Sequence, residues 1–384
     1  MEKMSPFQLK CLITLLIIPV AFLEEGPLLT APLKNNAWLA PVVMILLGWF
    51  LFQMYLFIFR QNNCSFPEAL TEHLGNIVGK IITVFYIFYF LLLGGYVLRI
   101  YSEFMKTSLL LTTPSGVPLF LMLFTGFYAL KKGINNIARI SVIILALIIL
   151  FNIFLISNCL INGFKWDNLQ PLLSDISVKT SFIAFFGLTG VLGKAMAVFI
   201  LADFIEGDKE KSIRASLNTL LFIFVPVISS TLLALSATLH PAVISSLSSA
   251  VFTMARTVHI SYFIQNIDVL FISVWICGIY VTLTLFWFSA SICTQKAFKL
   301  PDNRFFLAAS GVFIALVSVF LSGTSLGLSV WTTKLMPFLN NCFFIFIPLF
   351  IFIKVLIKKC LSNGFAKRCP FIRKRNKNSF IAKD

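Results

Sequence analysis

The chain has 384 residues, of which 59% are hydrophobic and 43 are phenylalanine, and its mean hydropathy is +0.93. No water-soluble domain carries that average, so the composition implies a membrane protein with several spans. The formal net charge of +16 does not indicate nucleic acid as a partner. No RNA- or DNA-binding motif accompanies it, and most of the excess falls in loops and a C-terminal tail, where it orients the chain and meets anionic membrane lipid.

Taken in chain order, hydropathy predicts about ten apolar stretches of bilayer length, approximately at 7–33, 37–59, 80–101, 115–130, 139–161, 180–205, 214–238, 267–295, 305–323 and 338–357. Of the 31 Lys and Arg residues, 23 fall in one set of alternate connections and 6 in the other; the remaining two, Arg99 and Lys194, lie in or at the end of a span. Basic loops stay in the cytoplasm, so this split predicts an even number of spans with both termini inside. Lys3 and Lys10 precede the first run without a small-residue cleavage site, and that run reads as an uncleaved first helix. The division is thus a ten-span membrane domain over 1–357 and a basic cytoplasmic tail over 358–384. Between spans two and three, Ser65-Phe66-Pro67-Glu68 spells a capping box followed by apolar residues at helical spacing, which predicts a short helix on the inner membrane surface. The outer connection 239–266 is long and amphipathic; it reads equally as a lid over a cavity or as a surface helix pair.

Two spans carry residues that an apolar helix tolerates badly. In the first, Pro19 and then Glu24-Glu25-Gly26-Pro27 predict an interruption, because proline removes an amide and two adjacent carboxylates at membrane depth need pairing or water. In the sixth, Gly187, Gly190 and Gly193 precede Lys194. Glycines at that spacing serve either a close-packed helix face or an unwound stretch, and the buried lysine favours the second reading. The two spans open oppositely oriented halves of five. Breaks at corresponding places in such halves mark inverted-repeat transporters, with the ligand between the broken helices. The expected fold is therefore all-α integral membrane, about ten transmembrane helices in a LeuT-like 5+5 inverted repeat with helices 1 and 6 broken. Lys194 is expected to pair with Glu24 or Glu25 in place of a bound cation. The competing arrangement leaves the glutamates in water at the outer rim and Lys194 on backbone carbonyls.

Weaker signals are Glu103 four residues after Arg99, a helical ion pair; Asp203 and Glu206 near Lys209; and Trp275 and Trp287, read as packing. Cysteines form no CxxC pair, three scattered histidines suggest no metal site, and Walker, HExxH, GxSxG and Rossmann motifs are absent. No cofactor is expected, and an enzyme is not.

The stretch from Phe66-Pro67-Glu68-Ala69-Leu70 to Leu74-Gly75 resembles the B subunits of bacterial spore germinant receptors. So do Tyr86-Ile87-Phe88-Tyr89-Phe90, Leu98-Arg99, Ser102 to Thr107, Thr113-Pro114 and Lys132-Gly133-Ile134. Looser likeness follows at Asn168-Leu169, Pro171-Leu172, Ile267-Asp268-Val269-Leu270-Phe271, Trp275-Ile276 and Gly278, and at Ala37-Trp38. The resemblance implies the amino acid–polyamine–organocation transporter fold, an A subunit and a lipoprotein C subunit as partners, the spore inner membrane as location, and a small germinant, an amino acid or similar, as ligand. The chain departs from the family pattern at Glu24-Glu25-Gly26-Pro27, where transporter relatives have Gly-x-Gly, and at Lys194.

The expected ligand site is Glu24, Glu25 and Gly26 with Gly187, Gly190 and Lys194; Arg256 and Asp268 are gating candidates, and Gly94 and Gly95 are expected to let a helix approach the site. The alternative function is a secondary amino acid or amine transporter coupled to protons or cations through the same charges. A third is a subunit whose cavity is vestigial.

Overall fold

The computed structural model describes residues 3–62, 64–110, 112–171, 177–247, 249–257, 267–302 and 306–368. The described residues are helical throughout, apart from connections and a single bridge between Met4 and Ile205. Seven stretches among them are long and apolar enough to cross a membrane; one of these, Pro6–Gln61, contains two helices. Large apolar side chains such as Leu46, Phe50, Leu150 and Phe222 stand exposed on the outside. That surface suits lipid, because an aqueous surface does not carry it.

Helix α1 (Pro6–Leu33) is the centre of the bundle. Ser5 and Gln8 cap it reciprocally at 3.0 and 3.3 Å, and Pro6 occupies its first turn. From Cys11 to Gly26 every residue is buried, as expected for a helix that is apolar all round. It packs against α6 (Ile134–Asn162), α7 (Val178–Gly193), α8 (Lys209–Thr238) and α11 (Ile267–Phe298). The expected break in this helix is absent: α1 runs through Pro19 and Pro27. At Pro19 the reason lies on α11. Pro19 has no amide for the Leu15 carbonyl, and the Thr282 hydroxyl donates to that carbonyl instead at 2.8 Å. Trp275 Nε1 donates to the Pro19 carbonyl at 2.8 Å. Gly278 makes room for the ring, since a Cβ there would stand 2.6 Å from Pro19 Cγ. A neighbouring helix thus satisfies the backbone that proline frees.

The sixth expected span also departs from the expectation. Gly187, Gly190 and Gly193 are α-helical and close-packed. Added Cβ atoms would lie 3.0 Å from Leu28, 2.9 Å from Asn340 and 2.7 Å from Phe344 respectively. The winding changes only beyond them, where Lys194–Phe199 and Leu201–Phe204 continue as 3-10 turns. Small residues here bring helices together. Gly94 and Gly95, on α4 (Asn76–Ser108), likewise face α12 (Leu307–Phe320): their added Cβ atoms would meet Ile314 at 3.2 Å and Val317 at 2.4 Å.

The short surface helix α3 (Phe66–Leu74) forms with its capping box intact. Its neighbours in the chain are α2 (Ala40–Asn62) and α4, and α5 (Gly116–Lys132) follows. The connection after α8 folds as α9 (Pro241–Ser246) and α10 (Ala250–Thr257), and both lie against α1. The last helical stretch joins α13 (Ser325–Val330), α14 (Met336–Asn341) and α15 (Ile347–Arg368) through π-helical turns at Trp331–Leu335 and Cys342–Phe346. Hydroxyls of Tyr86 and Tyr55 donate to the Phe343 and Phe344 carbonyls in the second turn. That satisfies acceptors which π winding loosens. Trp287 Nε1 donates to Ser310 Oγ at 2.7 Å, and Trp275 stacks on Tyr101, so both tryptophans are packing residues. Beyond Lys358, α15 continues to Arg368, and residues 369–384 of the expected tail lie outside the described residues.

Candidate functional site

Glu24, Glu25 and Lys194 come together in the interior. Lys194 is 2% exposed, and its Nζ lies 3.9 Å from Glu24 Oε2. Lys194 caps the C-terminal end of α7 and opens the 3-10 turn that packs against α1. The Tyr96 hydroxyl of α4 donates to Glu24 Oε1 and lies 2.9 Å from Thr332 Oγ1 of the last helical stretch. Glu25 is 1% exposed, and neither of its carboxylate oxygens has a hydrogen-bond partner among the described residues. Three buried ionisable groups therefore sit where two carboxyl groups outnumber one amine, in surroundings where unpaired charge is costly.

Beside this group lies a cavity of about 390 Å3. Its walls come from α1, α4, the α9–α10 connection and the start of the last helical stretch. Glu24 contributes from α1, and Glu103 from α4. Glu103 accepts from Arg99 Nη2 at 3.0 Å and from the Ser325 hydroxyl. The remaining polar wall is mostly hydroxyl, including Ser245, Ser249, Ser329 and Thr333.

The other expected site residues are placed as follows. Gly26 touches the connection, its nearest neighbours being Ala250, Ile244 and Leu235 at 3.5–3.8 Å from an added Cβ. The 239–257 segment therefore covers α1 at the glutamates. Gly187 and Gly190 lie on packed faces and do not line the cavity. Arg256 stacks over Phe252 at 5.5 Å, and Asp268 is the second residue of α11. Residues 258–266 between them, and with them His259, lie outside the described residues. Tyr96 and the cavity hydroxyls are additions that sequence reasoning missed. The available signal for Tyr96 is its place two turns before Glu103 on a buried helix; the serines and threonines carry none.

A second, larger cavity of about 600 Å3 opens at the end of the bundle that carries the basic loops. There Lys296 donates to Ser65, to Glu68 at 3.0 Å and to Asp203.

The chain matches the model of a family described as spore germination protein over residues 3–325. It is similar to spore germination protein KB of Bacillus subtilis (strain 168), 22% identical over 333 residues, which cover 85% of this chain and 88% of that one. Spore germination protein A2 of the same organism is 25% identical over 319 residues, covering 79% and 84%. Among solved structures, the fold is similar to MHP1, a nucleobase-cation-symport-1 family transporter in a closed conformation with bromovinylhydantoin bound. The TM-score is 0.64 at 12% identity, over 89% of this chain and 75% of that one. A Na+-coupled sialic acid symporter in a substrate-bound outward-open state gives 0.61 at 12% identity, over 89% and 78%. These two likenesses show a shared LeuT-type transporter fold. With the family match running from the first described residues into the last helical stretch, the chain belongs to the spore germination protein family.

Proposed function

We propose that this chain is the B subunit of a spore germinant receptor and that a small germinant, an amino acid or similar, binds in the 390 Å3 cavity beside Glu24. The observation that carries the reading is a ligand-sized cavity whose wall includes a buried carboxylate, held by Tyr96 and Lys194, in a family of germination proteins built on a transporter fold. The cavity is bounded by α1, α4 and the α9–α10 connection, so ligand contacts on the connection would favour one position of it over another. A ligand shifts such an equilibrium only by its differential affinity for the two positions. The shift would pass to an A subunit and a lipoprotein C subunit in the spore inner membrane, with ten spans and both termini cytoplasmic, as the basic loops suggest.

Transport is the second reading. The buried Lys194–Glu24 pair sits where coupled transporters keep their ion-coupling charges, and both structural neighbours carry cation coupling in their descriptions. A single experiment separates the two. Thr333→Leu narrows the cavity without touching the charges. In spores with matched receptor abundance, the response to a panel of amino acids, nucleosides and sugars is expected to need about ten-fold more germinant. An unchanged dose response moves recognition out of this cavity. Ligand-dependent flux in liposomes, with germination unaffected, favours the transporter.

A further inference from the structure

We infer that the cavity beside Glu24 selects for a protonated amine carried on a hydrogen-bond-donating ligand, and that it does not read a carboxylate. The inference rests on the ligand-site reading above and names the chemistry of that site. Three observations lead to it.

The first is the direction of the ion pairs. Glu24 and Glu103 line the cavity, whereas their bases, Lys194 and Arg99, do not; among the described residues no lysine or arginine contributes to its wall. Each pair therefore turns its negative pole to the cavity. Both carboxylates also keep acceptor capacity. Lys194 is 3.9 Å from Glu24 Oε2, beyond hydrogen-bond reach. Glu103 accepts one bond at each oxygen, out of about four sites on a carboxylate.

The second is the state of the hydroxyls. Ser245 donates to the Ala242 carbonyl at 3.0 Å and Ser246 to Val243 at 2.8 Å. Thr333 donates to Ser329 at 2.8 Å, Thr332 to Leu328 at 3.1 Å and Thr107 to Glu103 at 2.9 Å. A hydroxyl has one proton. Once it is spent on a helix carbonyl, the group offers a ligand only lone pairs. With Glu24 and Glu103, these five hydroxyls make most of the polar wall an accepting surface, matched to N–H and O–H donors; Ser249 and Ser329 keep their protons.

The third is the missing anion reader. Transporters of this architecture read a ligand carboxylate with the amides of a broken helix. Here α1 is continuous, and its amides are committed to their own helix. The start of the last helical stretch does reach the cavity. Yet Thr324 Oγ1 accepts from the Gly327 amide at 3.1 Å, and Glu103 already lies on Ser325. That positive end is answered by a carboxylate of the protein.

The test uses the full-length chain in lipid nanodiscs and reads the thermal midpoint against concentration of alaninol, alanine, N-acetylalaninol, lactate, glucosamine and glucose. Alaninol and glucosamine are expected to raise the midpoint saturably, and N-acetylalaninol, lactate and glucose to leave it unmoved. Glu103→Gln is expected to weaken alaninol about ten-fold, the worth of one charged hydrogen bond. A midpoint raised by lactate, by N-acetylalaninol as much as by alaninol, or by no amine at all overturns the inference. Thr333→Leu separates its failure from that of the site. If the variant abolishes binding of active compounds that prove to be carboxylates or neutral sugars, the cavity stands and only the amine preference falls. If active amines bind the variant as tightly as the parent chain, the site itself is elsewhere.

Discussion

At Lys194 the physical question is why a lysine that is 2% exposed survives in the middle of a membrane protein. Its nearest anion, Glu24 Oε2, is 3.9 Å away, a Coulombic contact and not a hydrogen bond. Glu25 has no donor at either oxygen among the described residues. Beside the Tyr96 hydrogen bond to Glu24, the Lys194–Glu24 pair is thus held by charge in a poor dielectric, where removing one partner leaves the other uncompensated. Lys194→Met is expected to cost about 3–5 kcal/mol, read as a lowered unfolding midpoint of the detergent-solubilised chain by tryptophan fluorescence. Adding Glu24→Gln in the same chain is expected to restore a substantial part, because the second change removes the charge the first one stranded. Strictly additive losses would mean that the two side chains are not coupled. This meeting of charges was legible in the sequence, since a lysine and a glutamate at membrane depth have few other places to go. The separate contribution of Tyr96 was not, because a tyrosine in an apolar run looks the same whether its hydroxyl meets a carboxylate or a carbonyl.

At the level of elements, α1 and α11 act as one unit. Pro19 in α1 is tolerated because α11 supplies a hydroxyl, an indole and a glycine at the right heights. Thr282→Val keeps the shape and deletes the donor to Leu15. It is expected to cost about 1–3 kcal/mol, the penalty of a buried acceptor left alone. In a Pro19→Ala background the same change is expected to cost a small fraction of that, because the substituted alanine brings its own amide to the Leu15 carbonyl. Equal costs in both backgrounds, measured as unfolding midpoints, would break the link between the two helices. The same pair of helices marks where a sequence stops foretelling structure. The Ser65–Glu68 capping box and the Arg99–Glu103 pair depend on neighbours in the chain, and they are found as expected; of the ten expected apolar spans, seven stretches among the described residues are long and apolar enough to cross. The break expected at Pro19 follows from a sound local rule, but its rescue comes from Trp275, 256 positions from Pro19, and Thr282, 267 positions from Leu15. The glycines of α7 leave two readings open for the same reason: only the approach of Leu28, Asn340 and Phe344 decides between a packed face and an unwound stretch. The cavity hydroxyls on Ser245–Ser249 and Ser325–Thr333 belong to segments far apart in the chain, and no local pattern distinguishes a wall from a back-bonded helix surface.

On the scale of the whole molecule, the two ends of α1 are fastened in opposite ways. Toward the glutamates it is covered by the short helices α9 and α10, which pack on it at Gly26 through apolar side chains. At its other end the chain is tied by charge. Lys296 of α11 binds Ser65, Glu68 and Asp203; Lys209 Nζ meets Asp203 at 3.1 Å; and the Met4 and Glu206 amides donate to the Phe204 and Met4 carbonyls across the start of α1 at 2.8 and 3.0 Å. Opening the bundle at that end has to break this cluster, whereas opening over the glutamates has to move two short helices. Lys296→Met is therefore expected to speed amide hydrogen exchange in α3 by about ten- to a hundred-fold, as the loss of charged hydrogen bonds worth about 1.5–3 kcal/mol would. Exchange in α10 is expected to stay unchanged. The pH dependence of the cluster has a definite sign. Burial alone would raise the Asp203 carboxyl, but the hydrogen bonds and charges of Lys296 and Lys209 hold it below its ordinary value. A carboxyl whose value is lowered by folding stabilises the fold fully above its unfolded value, about 3.9, and that contribution is lost as pH falls through the lower folded value. Exchange in α3, corrected for its intrinsic pH dependence, is thus expected to be flat from about pH 7 to pH 5 and to rise only in stronger acid. A rise already complete at about pH 5 would mean that Asp203 does not hold that end closed.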